Sequence, residues 1–85
     1  MKNFENFKQF LISMGVQINV IEDTKMVKND VEFYRKMDDE IPEGIDKIII
    51  VGTTSFCFRN NGSEFVGHRW VDDGYSGWVP RKDDK

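Results

Sequence analysis

Asn61-Gly62, set between the runs TTSFCFR and SEFVGHRWV, constrains the fold of this chain more than any other feature. A two-residue link between runs of aromatic and β-branched residues specifies a tight hairpin, because Asn and Gly accept the positive φ angles of a type I′ turn. The turn also fixes a register, in which Asn60 pairs with Ser63, Arg59 with Glu64, Phe58 with Phe65, Cys57 with Val66 and Phe56 with Gly67. Alternation then puts Phe56, Phe58 and Phe65 on one face, the expected core. Ser55, Cys57, Arg59, Glu64, Val66, His68 and Trp70 fall on the other. Gly67 qualifies this assignment, since a bulge there would turn His68 and Trp70 over to the core side.

Upstream, Phe4, Phe7, Leu11 and Met14 recur at helical spacing, with Phe10 widening the stripe. A helix over 3–14 is expected, capped by Asn3, stopped by Gly15 and turned toward the core. Residues 16–21 alternate apolar and polar as a half-buried strand. A second helix begins at Asn29, where Asn29 and Glu32 resemble a capping box, or earlier at Thr24. It continues through Val31, Tyr34, Met37 or Asp38, and Ile41, and Pro42 ends it. Residues 45–51 carry four consecutive β-favouring apolar residues, a central strand buried on both faces. After Val71, the segment Asp72-Asp73-Gly74-Tyr75-Ser76-Gly77-Trp78 reads as a second turn, with a short return strand at Trp78-Val79, and 80–85 as a frayed polar tail. The whole predicts a single α+β domain over 1–85, with helices and strands in the order α-β-α-β-β-β(-β). Its sheet is mainly antiparallel with four to five strands, and both helices lie on one face.

A net charge of −3 argues against the overall basic field of a duplex-binding module. One cysteine permits neither an internal disulfide nor a Cys-rich zinc site, and suits a reducing cytoplasm. The charged and polar residues within MKNFENFKQFLISMG distinguish it from a signal peptide, and Ile48 to Val51 is too short to cross a bilayer. Cys57 and His68, lying diagonally across the hairpin with Asp72 or Asp73 following, outline a thiol-hydrolase set, but no oxyanion-hole motif accompanies them. No catalytic, cofactor or metal set is expected; a small half-buried Cys and a surface or hydrogen-bonded His is the better account.

What remains is a surface for partners. The open hairpin face offers Arg59, Glu64, His68 and Trp70, the same strand adds Arg69, and the second turn offers Asp72, Asp73, Tyr75 and Trp78. Asp38, Asp39 and Glu40 form an acidic run at a helix C-terminus, where they oppose the macrodipole and suggest a partner-facing patch. A runner-up reading takes Arg59, Arg69, Trp70, Tyr75 and Trp78 as an RNA or single-stranded DNA binding set.

Stretches such as MKNFENFKQFLISMG and IPEGIDKIIIVG resemble the small early accessory proteins of T4-like bacteriophages, and the likeness in size and composition spans the whole chain. That resemblance implies a non-enzymatic protein of the host cytoplasm that binds and redirects a host protein. Counter-defence inhibitors that neutralise toxin endoribonucleases such as ToxN belong to this group. The implied partner is a host protein with a basic surface, with RNA admitted as part of the complex, and no membrane.

Overall fold

A computed structural model describes residues 3–37, 39–72 and 75–81, with 71, 72, 75 and 76 described by backbone alone. The elements follow one another as α1 (Phe4–Ser13), β1 (Asn19–Ile21), α2 (Thr24–Arg35), β2 (Ile45–Val51), β3 (Thr54–Arg59), β4 (Glu64–Asp72) and β5 (Tyr75–Pro80). The strands form one antiparallel sheet in the order β1-β2-β3-β4-β5. The α+β class and the expected element order are both observed.

Local chemistry explains the boundaries. The Asn3 side chain accepts from the Asn6 amide at 2.9 Å and starts α1. For α2 the cap is Asp23, whose carboxylate accepts from the amides of Lys25 and Met26. The earlier of the two expected starts is the one observed, with the cap one residue before Thr24, so Met26 and Val27 are helical. The helix also stops at Arg35, short of Pro42. The Arg35 guanidinium donates to the carbonyls of Ile41 and Pro42, folding the following loop back and burying Ile41 outside the helix.

Gly52 (φ 60°) takes the first central position between β2 and β3, as a type II′ turn requires. Asn60, Asn61 and Gly62 have φ 58°, 57° and 86°, so the positive φ expected at Asn61-Gly62 extends one residue upstream, and Ser63 N–H donates to the Asn60 carbonyl at 3.1 Å. Gly62 is doubly constrained. Its carbonyl accepts from the Phe4 amide at 2.7 Å, and a Cβ there would lie 2.8 Å from that of Phe4.

The expectation that both helices share one sheet face is corrected. Phe4 and Leu11 of α1 pack on Ile49, Phe58 and Phe65. Val27 and Val31 of α2 pack on Ile48, Cys57 and Val66. Adjacent residues of a strand point to opposite faces, so Ile48 and Ile49, both fully buried, carry one helix each. Phe10 and Met14 also leave the expected core stripe, 44% and 62% exposed. Phe10 lies roughly a third of a turn round from the Phe4–Leu11 line, and Met14 falls beyond the last helical residue.

The hairpin register holds nearest the turn, where Arg59 pairs with Glu64 and Phe58 with Phe65. It then shifts by one, so that Cys57 pairs with Gly67 rather than Val66, and Phe56 with His68 rather than Gly67. Gly67 adopts φ 138°, and β5 runs so close that a Cβ there would sit 2.7 Å from the Val79 carbonyl oxygen and 2.8 Å from the Trp78 ring. Gly67→Ala is accordingly expected to cost about 2 kcal/mol or more, through strain and the clash with β5 together. Urea denaturation checks this against Gly15→Ala, where the added methyl meets open space and only the positive φ of 76° opposes it.

Candidate interaction surfaces

The residues singled out from the sequence do not form one surface. Past the bulge, His68 and Trp70 lie on the α1 face, where His68 packs on Phe56 at 5.6 Å between ring centroids and Trp70 pairs with Gly77. Both are half-buried. Arg69 and its β5 partner Trp78 lie on the α2 face, and Trp78 packs against the cluster beneath α2. Trp70 and Trp78 therefore stand on opposite sides of the sheet, and the proposed stacking set is divided.

Arg69 is withdrawn from the surface, only 2% exposed. Its guanidinium forms an ion pair with Asp30 of α2 and lies over the Tyr34 ring, 3.8 Å from its centroid. A buried guanidinium needs such partners because desolvation of a lone charge costs several kcal/mol. Burial pushes the Asp30 carboxyl up from the ordinary aspartate value, and the Arg69 charge and hydrogen bond offset only part of that. Arg69 thus couples the sheet to α2 rather than greeting a partner.

Arg59 and Glu64 grip each other at the turn end of the hairpin, through Nε to Oε1 at 3.1 Å and Nη2 to Oε2 at 3.0 Å. Asn60 adds a donor to the same carboxylate at 2.8 Å. The hydrogen bond from Arg59 holds the Glu64 carboxyl below the usual glutamate range, outweighing the opposing effect of desolvation. The pair is best explained as a cross-strand clamp that secures the register. Asp39 and Glu40 are exposed in the turns after α2. Asp72 and Tyr75 pair as backbone across β4 and β5, while Asp38 and Asp73 lie outside the described residues.

The thiol-hydrolase geometry is dissolved by the bulge. Cys57 faces α2 and His68 faces α1. Burial pushes the Cys57 thiol up to about 12, the opposing pull of Arg69 being smaller. A nucleophilic cysteine needs the reverse. Among the described residues no three of His, Cys, Asp and Glu are placed to hold a metal ion, and no helix is long and apolar enough to cross a membrane.

What sequence reasoning missed is a second apolar set outside the core. Phe10 and Ile12 on α1, Met14 at its C-terminal end, and Met26, Phe33 and Met37 at α2 are all exposed. Met26, Phe33 and Met37 recur at seven and four residues, the helical signal that was available. With the helix start open between Asn29 and Thr24, only the earlier one brings Met26 into the periodic run.

Two measurements test this arrangement. Asp30→Ala strands the buried guanidinium and is expected to cost about 3 kcal/mol, whereas Asp30→Leu with Arg69→Met recovers most of that loss in a thermal or urea melt. Cys57 is expected to ignore a thiol reagent at neutral pH until the chain unfolds. Because its folded value lies above the ordinary 9.0, its contribution to stability is full below about 9 and is lost as pH rises toward 12. Alkaline unfolding of the wild type should therefore be steeper than that of Cys57→Ala. Comparison with protein-family models, with curated proteins and with solved structures gives no match for this chain.

Proposed function

We propose that the protein is a small non-enzymatic interaction protein that binds a host protein with a basic surface and blocks or modulates it, as phage counter-defence inhibitors do. The observation that carries this reading is the apolar set outside the core, with Phe33 60%, Met26 58% and Met37 52% exposed on one helix and its following turn. Exposed apolar groups at this density on a small domain are characteristic of surfaces that meet other proteins. The net charge of −3 favours a cationic partner, since complementary charge speeds encounter and selects against wrong surfaces. A nucleic-acid-processing protein such as a toxin ribonuclease fits that class, because its own ligand is a polyanion. The buried, protonated Cys57 thiol supports the non-enzymatic side of the reading.

RNA or single-stranded DNA binding is the second reading, favoured by Phe56, His68 and Trp70 on one half-open sheet face, where bases could stack. It ranks below the first because its cationic members are elsewhere. Arg69 is buried against Asp30, and Arg59 is clamped to Glu64.

Immobilised protein in host lysate is expected to retain one dominant protein that resists ribonuclease and is released by about 1 M salt, where the Debye length is roughly 3 Å. A folded Phe10→Ser/Phe33→Ser variant should lose it. Recovery of RNA instead, or of nothing above background, overturns the proposal.

A further inference from the structure

β5 ends the sheet, with β4 on one side only. In an antiparallel ladder, successive residues of an edge strand aim their N–H and C=O alternately at the neighbour and away from it. Two observations fix the phase. The Arg81 amide donates to the Val66 carbonyl at 3.4 Å, and Pro80, which has no N–H, pairs with Gly67 next to that bond. Val79, Gly77 and Tyr75 therefore bond to His68, Trp70 and Asp72, whereas Ser76, Trp78 and Pro80 turn their backbone groups outward. Pro80 obeys the rule that confines proline to the outward phase of an edge strand.

The two edges of the sheet are not equivalent. Edge strands are kept from pairing by shortness, charge, proline or bulges. β1 is three residues long and runs straight into Glu22 and Asp23. β5 spans six residues, carries no charged side chain, and has its single proline at the last position. Its register with β4 runs from Tyr75 to Pro80 without a shift. Only another extended backbone meets such a row of donors and acceptors.

The row is complementary to itself. When two β5 strands meet antiparallel about a two-fold axis at Gly77, Ser76 of each copy opposes Trp78 of the other. Each such pair exchanges two hydrogen bonds, so the outward N–H groups of Ser76 and Trp78 in both copies find carbonyls. Gly77 then sits at the axis in a non-hydrogen-bonded pair, where strands approach closest, and it has no side chain to obstruct them. Charge agrees with this pairing. Each copy carries −3 overall, but the uncharged β5 keeps like charges off the axis. The two-fold brings the Arg81 end of one copy to the β4–β5 end of the other, where Asp72 stands. At the Arg81 end, Arg59 and Glu64 cancel as a pair, although Arg81 also acts on the Glu64 carboxyl, and the sequence from Lys82 to Lys85 sums to no net charge. At the other end Asp73 follows Asp72 in the sequence. Unlike charges therefore meet twice, once at each end of the pairing.

We infer that the protein pairs with a second copy of itself along β5, joining two five-stranded sheets into one continuous sheet. The inference stands independently of the interaction-protein reading.

Sedimentation equilibrium of the full chain across the micromolar to millimolar range is expected to show a monomer–dimer equilibrium and no larger species. Amide exchange followed by NMR on the same samples supplies the signature of the edge. The amides of Ser76 and Trp78 should become protected as concentration rises, while those of Gly77 and Val79, bonded to β4, stay protected throughout. Ser76→Pro removes an outward N–H and no ladder bond, so the fold should survive and dimerisation should weaken by about tenfold or more. A monomer at every concentration overturns the inference. So does a dimer in which the Ser76 and Trp78 amides still exchange freely, and so does a dimer that the folded Ser76→Pro variant retains. If that variant unfolds, the exchange pattern of the wild type decides alone. Protection of the two amides only when a protein from host lysate is bound gives the edge to a foreign strand, and overturns the inference as well.

Discussion

The extra residue at Val66-Gly67 governs the rest of the molecule. Two residues of β4 face one of β3 at Cys57, and every side chain of β4 beyond that point changes sides. Val66 stays beneath α2, whereas His68 and Trp70 move to the α1 face and Arg69 takes the place they would have held. The shift is possible only because β5 can press its backbone against a residue with no side chain. One glycine therefore decides which charges are buried, where the tryptophans stand, and whether a thiol and an imidazole share a surface.

The sequence made the hairpin legible near its turn because three local signals agreed there. Asn61-Gly62 demanded positive φ, Arg59 opposed Glu64, and Phe58 opposed Phe65. Beyond Cys57 no cross-strand pair remained to hold the register, and Gly67 was ambiguous by its nature. The helical layers were less legible. The run Ile48-Ile49-Ile50-Val51 signalled burial on both faces, which already required cover on each side, yet helix order alone does not say which side a helix takes. The start of α2 stayed open between Asn29 and Thr24 because a capping-box pattern at Asn29 competes with an earlier cap, which is the Asp23 carboxylate, and propensity does not rank two good caps. As for the candidate surface, the basic and aromatic residues of the last third were visible as composition. Their division between two faces depended on the bulge.

The Arg69–Asp30–Tyr34 contact shows why a buried charge survives in so small a core. Hydrophobic substitutes of similar volume can match or exceed the stability of such a pair, so its retention is better explained by specificity. The α2 face beneath Val27 and Val31 is mostly aliphatic and would tolerate several helix orientations. A guanidinium that must find one carboxylate and one ring admits few. The same contact turns the outer flank of α2 in a fixed direction, so Met26 and Phe33 are presented by a positioned helix.

The docking of Phe4 on Gly62 has a consequence for the order in which the chain organises itself. The first helical amide donates to a carbonyl in the β3–β4 turn, and most of the sequence lies between them. During synthesis α1 emerges early but has no partner until β2, β3 and the Asn61-Gly62 turn have followed it. Its aromatic face, Phe4 and Phe7, is meant for Phe58 and Phe56 and remains uncovered for that interval. Such long-range closure slows folding relative to local pairing. The nascent N-terminal helix is therefore the part of this protein most dependent on what it meets before its own sheet exists.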